Sequence, residues 1–199
     1  MGSVLRTKLV VVGDWSVGKT ALVQQFLNSG TAFPKNYTMT LGGEVLTKLV
    51  HIPDTTDSVE LLILDCSGRE VLFPGYTMIP PYTQVYTDML APAWAGASML
   101  LAVFDCTREE TVAKAKEWVG RVRGSGPALP GVLLAAKADL GDRRVVAPKA
   151  GAEAAASLGL QYFESSSKDH TGVEEPFFYL ANELHKLHGE QALAMAEVA

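Results

Sequence analysis

Cysteine is almost missing from this chain, with Cys66 and Cys106 the only two in 199 residues. Each follows an aspartate at the end of an apolar run, which reads as a pair of buried, reduced thiols and not as a disulfide framework. Basic excess is missing as well: 17 Lys and Arg against 22 Asp and Glu leave a net charge of −5. That balance argues against nucleic acid or an anionic membrane as the main partner. The longest apolar run, ASMLLAVF, falls far short of a bilayer span. The first residues, MGSVLR, lack the downstream Ser or Thr of a myristoylation signal, and the last, AMAEVA, hold no cysteine to prenylate. The expectation is a soluble cytoplasmic protein with no lipid anchor of its own.

What is present is the composition of an ordinary globular domain, 48% apolar and 20% charged. The length suits one domain over residues 1–190, followed by a short tail over 191–199. Buried-strand runs at 7–12, 45–52, 58–65, 97–104, 132–136 and 160–163 alternate with helical stretches from about 19, at 109–123, 148–158 and 173–188. The turn-rich PDTTD between the second and third runs reads as a hairpin. The order predicts an α/β fold: a six-stranded, mostly parallel sheet with one antiparallel strand and helices on both faces. Two long irregular segments, from about 28 to 43 and from 66 to about 95, interrupt it, and segments of that length are usually functional or disordered.

GDWSVGKT (13–20) fits G-x-x-x-x-G-K-[ST] between a strand and a helix, the context the motif requires. Its glycines let the backbone wrap a phosphate chain with N–H groups and a helix N-terminus facing the anion. Lys19 would reach the β- and γ-phosphates and the Thr20 hydroxyl would ligate Mg²⁺. A ligand-free strand-to-helix turn is the plain alternative, and the register of strand, helix and Lys-Thr disfavours it. The choice of base falls to AAKADL (135–140) and ESSSKD (164–169), each after a strand. Asp139 can accept from the N1–H and exocyclic amine of guanine, a donor pair adenine lacks, and Lys137 can lie along the base. K-x-D alone is common surface sequence; it gains meaning from this strand and this phosphate loop.

Together these pieces resemble a Ras-superfamily small GTPase of the Rab branch, from Lys8 to about His188. The resemblance implies GTP or GDP and Mg²⁺ as ligands. It implies a phosphate loop at Gly13, Asp14, Ser16, Val17, Gly18, Lys19, Thr20 and Ala21, a first switch YTMTLGGE with the Mg²⁺-ligating Thr40, and an aromatic Phe33 packing across the base. It also implies a second switch beginning DCSGRE, with Asp65 holding Mg²⁺ through water and Gly68 meeting the γ-phosphate. Lys137 and Asp139 carry base recognition in AKAD, where N-K-x-D is usual, and Ser166, Ser167 and Lys168 stand for S-A-K. The stretch NYTMTLGGEVLTKLV followed by IPDTTDSVELLILDCSGRE is similar to the Rab-like GTPase subunit of the intraflagellar transport B complex. That likeness implies a place in cytoplasm and in cilium or flagellum, no prenyl group, and a small β-sandwich subunit of the same complex as partner.

Three departures bear on the chemistry. Arg69 stands where the family places a water-orienting glutamine, and a guanidinium donates but cannot accept. The chain therefore has no clear catalytic residue; a built-in arginine finger would still need another group to place the water. Trp15 occupies the loop position nearest the γ-phosphate, where it either crowds the transition state or a partner's finger, or points outward onto the second switch. Ala136 replaces the asparagine that ties base to loop, a loss of about 1–3 kcal/mol that predicts micromolar nucleotide affinity.

The segment 71–94 is roughly a dozen residues longer than a typical Ras-type chain allows, and its Phe73, Tyr76, Met78, Tyr82 and Tyr86 admit either a loose insertion or a docking segment. In the last helix Phe177, Leu180, Leu184 and Leu187 share a core-facing stripe, while His185 and His188 read as a solvated helix end and not as a metal site. The tail either extends the helix or binds a partner. The leading reading is a nucleotide switch with very slow intrinsic hydrolysis; the alternative is a structural adaptor whose nucleotide state does not control partner binding. A P-loop nucleotide kinase would lack its basic lid and leave Asp139 unexplained.

Overall fold

The computed structural model describes residues 2–30, 33, 38, 40, 42–68, 92–124 and 129–198, with side chains as far as 192. Arg69 and the segment 71–91 lie outside the described residues. Six strands, β1 (Val4–Gly13), β2 (Gly43–His51), β3 (Ser58–Cys66), β4 (Met99–Asp105), β5 (Gly131–Ala136) and β6 (Gln161–Ser165), form one sheet in the order β2-β3-β1-β4-β5-β6. Every pairing is parallel except the β2–β3 hairpin, as the run order predicted. Most element ends differ from the sequence reading by one or two residues, the usual uncertainty of such ends, while β1 begins three residues earlier, at Val4, and the last helix runs ten residues further, to Val198.

The continuous apolar runs follow from burial on both sheet faces. In β1, Leu9 and Val11 enter one core and Val10 and Val12 the other, all four fully buried. The first core is closed by α1 (Lys19–Leu27) and α4 (Glu175–Val198), through Leu22, Phe26, Phe177 and Leu180. Phe26 and Phe177 stack with centroids 3.9 Å apart and planes 5° from parallel. The second core is closed by α2 (Glu110–Arg123) and α3 (Pro148–Ser157). There Trp94, the last residue of the long insertion, sets its indole edge against Trp118 at 6.0 Å. The apolar end of that insertion is thus an anchor on α2.

Two expectations for the last helix change. The helix runs on to Val198, so residues 191–198 continue it. Leu187 is 39% exposed although it sits on the apolar stripe, because residues 186–192 lie beyond the cover of the sheet and are exposed. His185 is not merely solvated: its Nε2 meets Asp57 Oδ2 at 2.9 Å, tying α4 to the β2–β3 turn. That contact, with the Ser3 backbone N–H and hydroxyl, holds the Asp57 carboxyl down to about 2. No helix among the described residues is long and apolar enough to cross a membrane.

The parallel register brings the carboxyl ends of β1, β3, β4, β5 and β6 to one edge of the sheet. Val11 pairs with Asp65, Gly13 with Val103, Asp105 with Ala136 and Ala136 with Ser165. In open α/β sheets ligands bind outside this edge.

Phe177→Ala empties a site with no solvent access and removes a stacked ring, so urea unfolding should show a loss of about 3–5 kcal/mol; a loss under about 1 kcal/mol would show that α4 is not the lid of this core.

Candidate functional site

The loop after β1 turns sharply into α1. Ser16 sits at φ 58° and Gly18, the residue before the helix, at φ 110°, a backbone region that L side chains resist. No side chain caps the N-terminus of α1, so its first N–H groups stay available to an anion. Lys19 is 6% exposed and its Nζ donates to the carbonyls of Gly13 (2.9 Å) and Asp14 (2.8 Å). Burial pulls this ammonium down to about 8, against the opposing pull of Asp65, Cys66 and Asp14. The loop therefore curls around a cation that burial has stripped of water, a strong claim on any anion entering the curl.

Three oxygen groups from distant parts of the chain meet beside Lys19. Thr20 Oγ1 donates to Asp65 Oδ2 at 2.6 Å and lies 2.8 Å from Thr40 Oγ1. Asp65 has no exposure, and burial raises its carboxyl above the usual range despite the Thr20 hydrogen bond and the charge of Lys19. Its second oxygen, Oδ1, is buried without a hydrogen-bond partner among the described residues. Two hydroxyls and a carboxylate, one of its oxygens without a hydrogen-bond partner among the described residues, form a hard donor set of the type Mg²⁺ prefers. No cluster of three His, Cys, Asp or Glu among the described residues competes for a metal. His188 is exposed on α4.

Gly68 closes this group from below. A Cβ at this position would sit 2.4 Å from the Asp14 backbone and 2.5 Å from Lys19 Nζ. Only glycine lets the chain after β3 press against both the loop and its lysine.

On the other side of the loop a cavity of about 250 Å³ opens between Val17, Gly18, Ala21 and Phe33 on one wall and Ala136, Lys137, Asp139, Leu140, Ser167 and Lys168 on the other. Phe33 is 45% exposed at its mouth. Asp139 is fixed at its inner end: Oδ1 accepts from Ser166 Oγ at 2.8 Å, and Lys168 Nζ approaches Oδ2 at 4.0 Å. Ser166 Oγ in turn accepts the Asp169 N–H. A carboxylate so held, in a cavity also lined by Phe33 and Lys137, suits a flat ring with two adjacent N–H donors. Ala136 adds only a methyl here, 3.8 Å from where a Cβ on Gly18 would stand.

The structure brings all the sequence-predicted residues that it describes to this one edge, with the phosphate loop between the oxygen cluster and the cavity. Trp15 points outward, 43% exposed, with the Arg108 guanidinium over its ring at 5.4 Å; its expected packing on the second switch beyond Gly68 lies outside the described residues. Sequence reasoning missed two residues here, Asp105 and Arg108. Asp105 Oδ2 accepts from Lys137 Nζ at 2.6 Å, and Arg108 Nη2 donates to the Trp15 carbonyl at 2.9 Å. Burial would raise the Asp105 carboxyl, but hydrogen bonds from Lys137 and Thr107 outweigh it and bring it below the usual range. The available signal was an aspartate ending an apolar run with an arginine three residues on.

Comparison with known proteins agrees with this geometry. The Ras family matches residues 8–186. The intraflagellar transport protein 27 homologue of Bos taurus is 39% identical over 189 residues, 94% of each chain. Intraflagellar transport protein 27 of Chlamydomonas reinhardtii is 31% identical, covering 97% of this chain and 91% of its own. The Ras-related protein RABD1 of Arabidopsis thaliana is 28% identical, covering 94% and 83%.

Gly68→Ala should cost about 1–3 kcal/mol in urea unfolding, because backbone must move to admit the methyl. Gly120→Ala on α2 meets open space and should be neutral or stabilising by up to about 1 kcal/mol. Equal behaviour of the two would show that the Gly68 contact is dispensable.

Proposed function

This chain belongs to the Ras family and is a Rab-like small GTPase, and we propose that it is a Mg²⁺-dependent guanine-nucleotide switch serving as a subunit of an intraflagellar transport complex in cilia or flagella. The observation that carries the switch is the meeting of Thr20, Thr40 and Asp65 within 2.6–2.8 Å beside Lys19. Thr40 belongs to the first long segment and Asp65 opens the second, so a ligand held at this point orders both. The names of the similar proteins supply the transport setting. The partner proposed from the same likeness is the small β-sandwich subunit of the B complex, with localisation in cytoplasm and cilium.

The residues divide the work. Asp139 accepts the two N–H donors of guanine, Lys137 and Phe33 flank the ring, and Ser166, Ser167 and Lys168 hold the base loop. Gly13, Asp14, Ser16, Val17, Gly18 and Ala21 wrap the phosphates, and Lys19 neutralises the β- and γ-phosphate oxygens. Thr20, Thr40 and Asp65 would hold Mg²⁺, which when bound draws negative charge from the γ-phosphate and its leaving oxygen. Hydrolysis places a water oxygen on the γ-phosphorus and breaks its bond to the β–γ bridging oxygen, releasing GDP and phosphate. That step needs an acceptor to orient the water, and no residue visible in the sequence is suited to that task; Arg69 stands in the position where it would be. The protein therefore binds GTP weakly and cleaves it very slowly alone.

Two measurements test this. Isothermal titration with Mg²⁺ should give micromolar GDP and no detectable ADP binding, and Ala136→Asn should tighten GDP roughly ten- to a hundredfold. Sub-nanomolar GDP would overturn the weak-binding reading, and equal ADP binding would overturn the guanine assignment. In single-turnover assays the wild type should hydrolyse GTP below the intrinsic Ras rate of about 10⁻⁴ s⁻¹, with Arg69→Gln faster. A wild type already at that rate and slowed by the change would make Arg69 catalytic.

A further inference from the structure

We propose that Asp105 and Arg108 are positioning residues for nucleotide binding, a buried carboxylate and a bridging guanidinium that hold the phosphate loop in place of the tie missing at Ala136. The proposal rests on the guanine-nucleotide reading of the site and identifies what sets the residence time there.

Asp105 ends β4, is 1% exposed, and distributes its two oxygens completely. Oδ1 accepts the Thr107 N–H at 2.9 Å and the Thr107 hydroxyl at 2.7 Å. Oδ2 accepts Lys137 Nζ at 2.6 Å and faces Arg108 Nε at 3.4 Å. Each cation then reaches on to the loop. Lys137 Nζ donates to the Ser16 carbonyl and Arg108 Nη2 to the Trp15 carbonyl, both at 2.9 Å. One carboxylate thus orients two donors onto two consecutive loop carbonyls.

A trans peptide is planar, with its C=O and N–H pointing in opposite directions. Pulling the Trp15 carbonyl toward Arg108 turns the Ser16 N–H the other way, and pulling the Ser16 carbonyl toward Lys137 does the same to the Val17 N–H. The clamp therefore presets two donors toward the inside of the loop, where an anion sits. It also holds Ser16 at φ 58°, a conformation that a free serine rarely adopts.

Arg108 is itself locked. Its carbonyl accepts the Thr111 hydroxyl at 2.6 Å at the start of α2, while the Thr111 hydroxyl accepts the Asp105 N–H at 3.0 Å. Its guanidinium covers the Trp15 ring at 5.4 Å, with Nη1 3.9 Å from both Asp14 Oδ2 and Glu110 Oε1. Trp15 fits this scheme as the roof of the clamp, a large face over which a planar cation settles. Ala136 on β5, by contrast, offers the loop only a methyl.

The test is stopped-flow dissociation of a fluorescent GDP analogue from the Mg²⁺-loaded protein, read beside urea unfolding of the nucleotide-free protein. Arg108→Ala should release nucleotide roughly tenfold faster, the loss of one charge-assisted hydrogen bond, with an unchanged urea midpoint. Arg108→Lys keeps the charge but gathers its donors on one nitrogen, without the spacing between Nε and Nη2 or the planar face over Trp15, and should fall near threefold. In an Ala136→Asn background, where a side-chain amide restores a second tie, the Arg108→Ala effect should shrink below threefold. The proposal is overturned if neither Arg108 variant alters the rate, if the urea midpoint falls in step with the rate, or if the effect is undiminished beside Asn at 136. A wild type that binds no GDP at all would instead overturn the nucleotide reading, and the clamp with it.

Discussion

Asp65 is a carboxylate with no solvent exposure at the end of a central strand, and burying such a group without partners is among the costliest things a fold can do. It is there because β3 pairs in parallel with β1, which fixes its height beside the phosphate loop. Its environment answers only part of its charge: Thr20 supplies a hydrogen bond and Lys19 a field, yet burial still dominates and one oxygen has no partner among the described residues. Lys19, equally buried, is pulled the opposite way for the same reason. Two ions each short of solvation lie at one point where two long segments of chain begin or end. A ligand bringing anionic oxygens for Lys19 and a divalent cation for Asp65 relieves both shortages together, and the gain is available only when Thr40 and Gly68 stand where they do. Such coupling makes the bound state of the site a property of the two segments, which is what a switch requires.

The second constraint acts on the loop's back. A backbone that wraps an anion must turn its carbonyls away from it, and outward carbonyls need donors. Asparagine at position 136 would provide one; alanine does not. Lys137 and Arg108, both oriented by Asp105, meet that need from the side of β4 and α2. The substitution at 136 thus reads as a relocation of the loop's support as much as a loss. A support that runs through long, partly solvated side chains is looser than one through a short amide, because each carries more rotamer freedom to lose. Retained specificity with shortened residence is the combination this arrangement favours.

Much of this was legible in the residues. The runs of β1, β4 and β5 carry no polar alternation because both faces are buried, and that continuity announces a parallel sheet flanked by helices. The loop motif and Asp139 were readable from spacing after predicted strands, and the role of Asp65 from the family resemblance. Arg108 did not, because its partner Trp15 is 93 residues away and only the fold brings them together. His185 was misread for the same reason: its partner, Asp57, lies 128 residues distant in a turn. Leu187 looked like core because helical periodicity records which face a residue occupies and is silent on where the covering sheet stops.

Arg69 and Ala136 pull the family's cycle in opposite directions. A protein that cleaves GTP slowly would, with tight binding, stay loaded for as long as hydrolysis takes; weak binding lets it reset by exchange instead. On the proposed reading, with the base-loop tie gone and the loop held by Asp105 and its two cations, release would compete with cleavage, and the ratio of free GTP to GDP would set the state of the switch. In the proposed transport setting the nucleotide state would follow any partner that binds the two segments, since one that orders Thr40 and Gly68 would also hold the bound nucleotide. On this reading the Mg²⁺ donors and the arginine at position 69 are compatible in one chain: binding energy would be used to order surfaces, and the chemistry that would undo that order would need a water-positioning group from a partner.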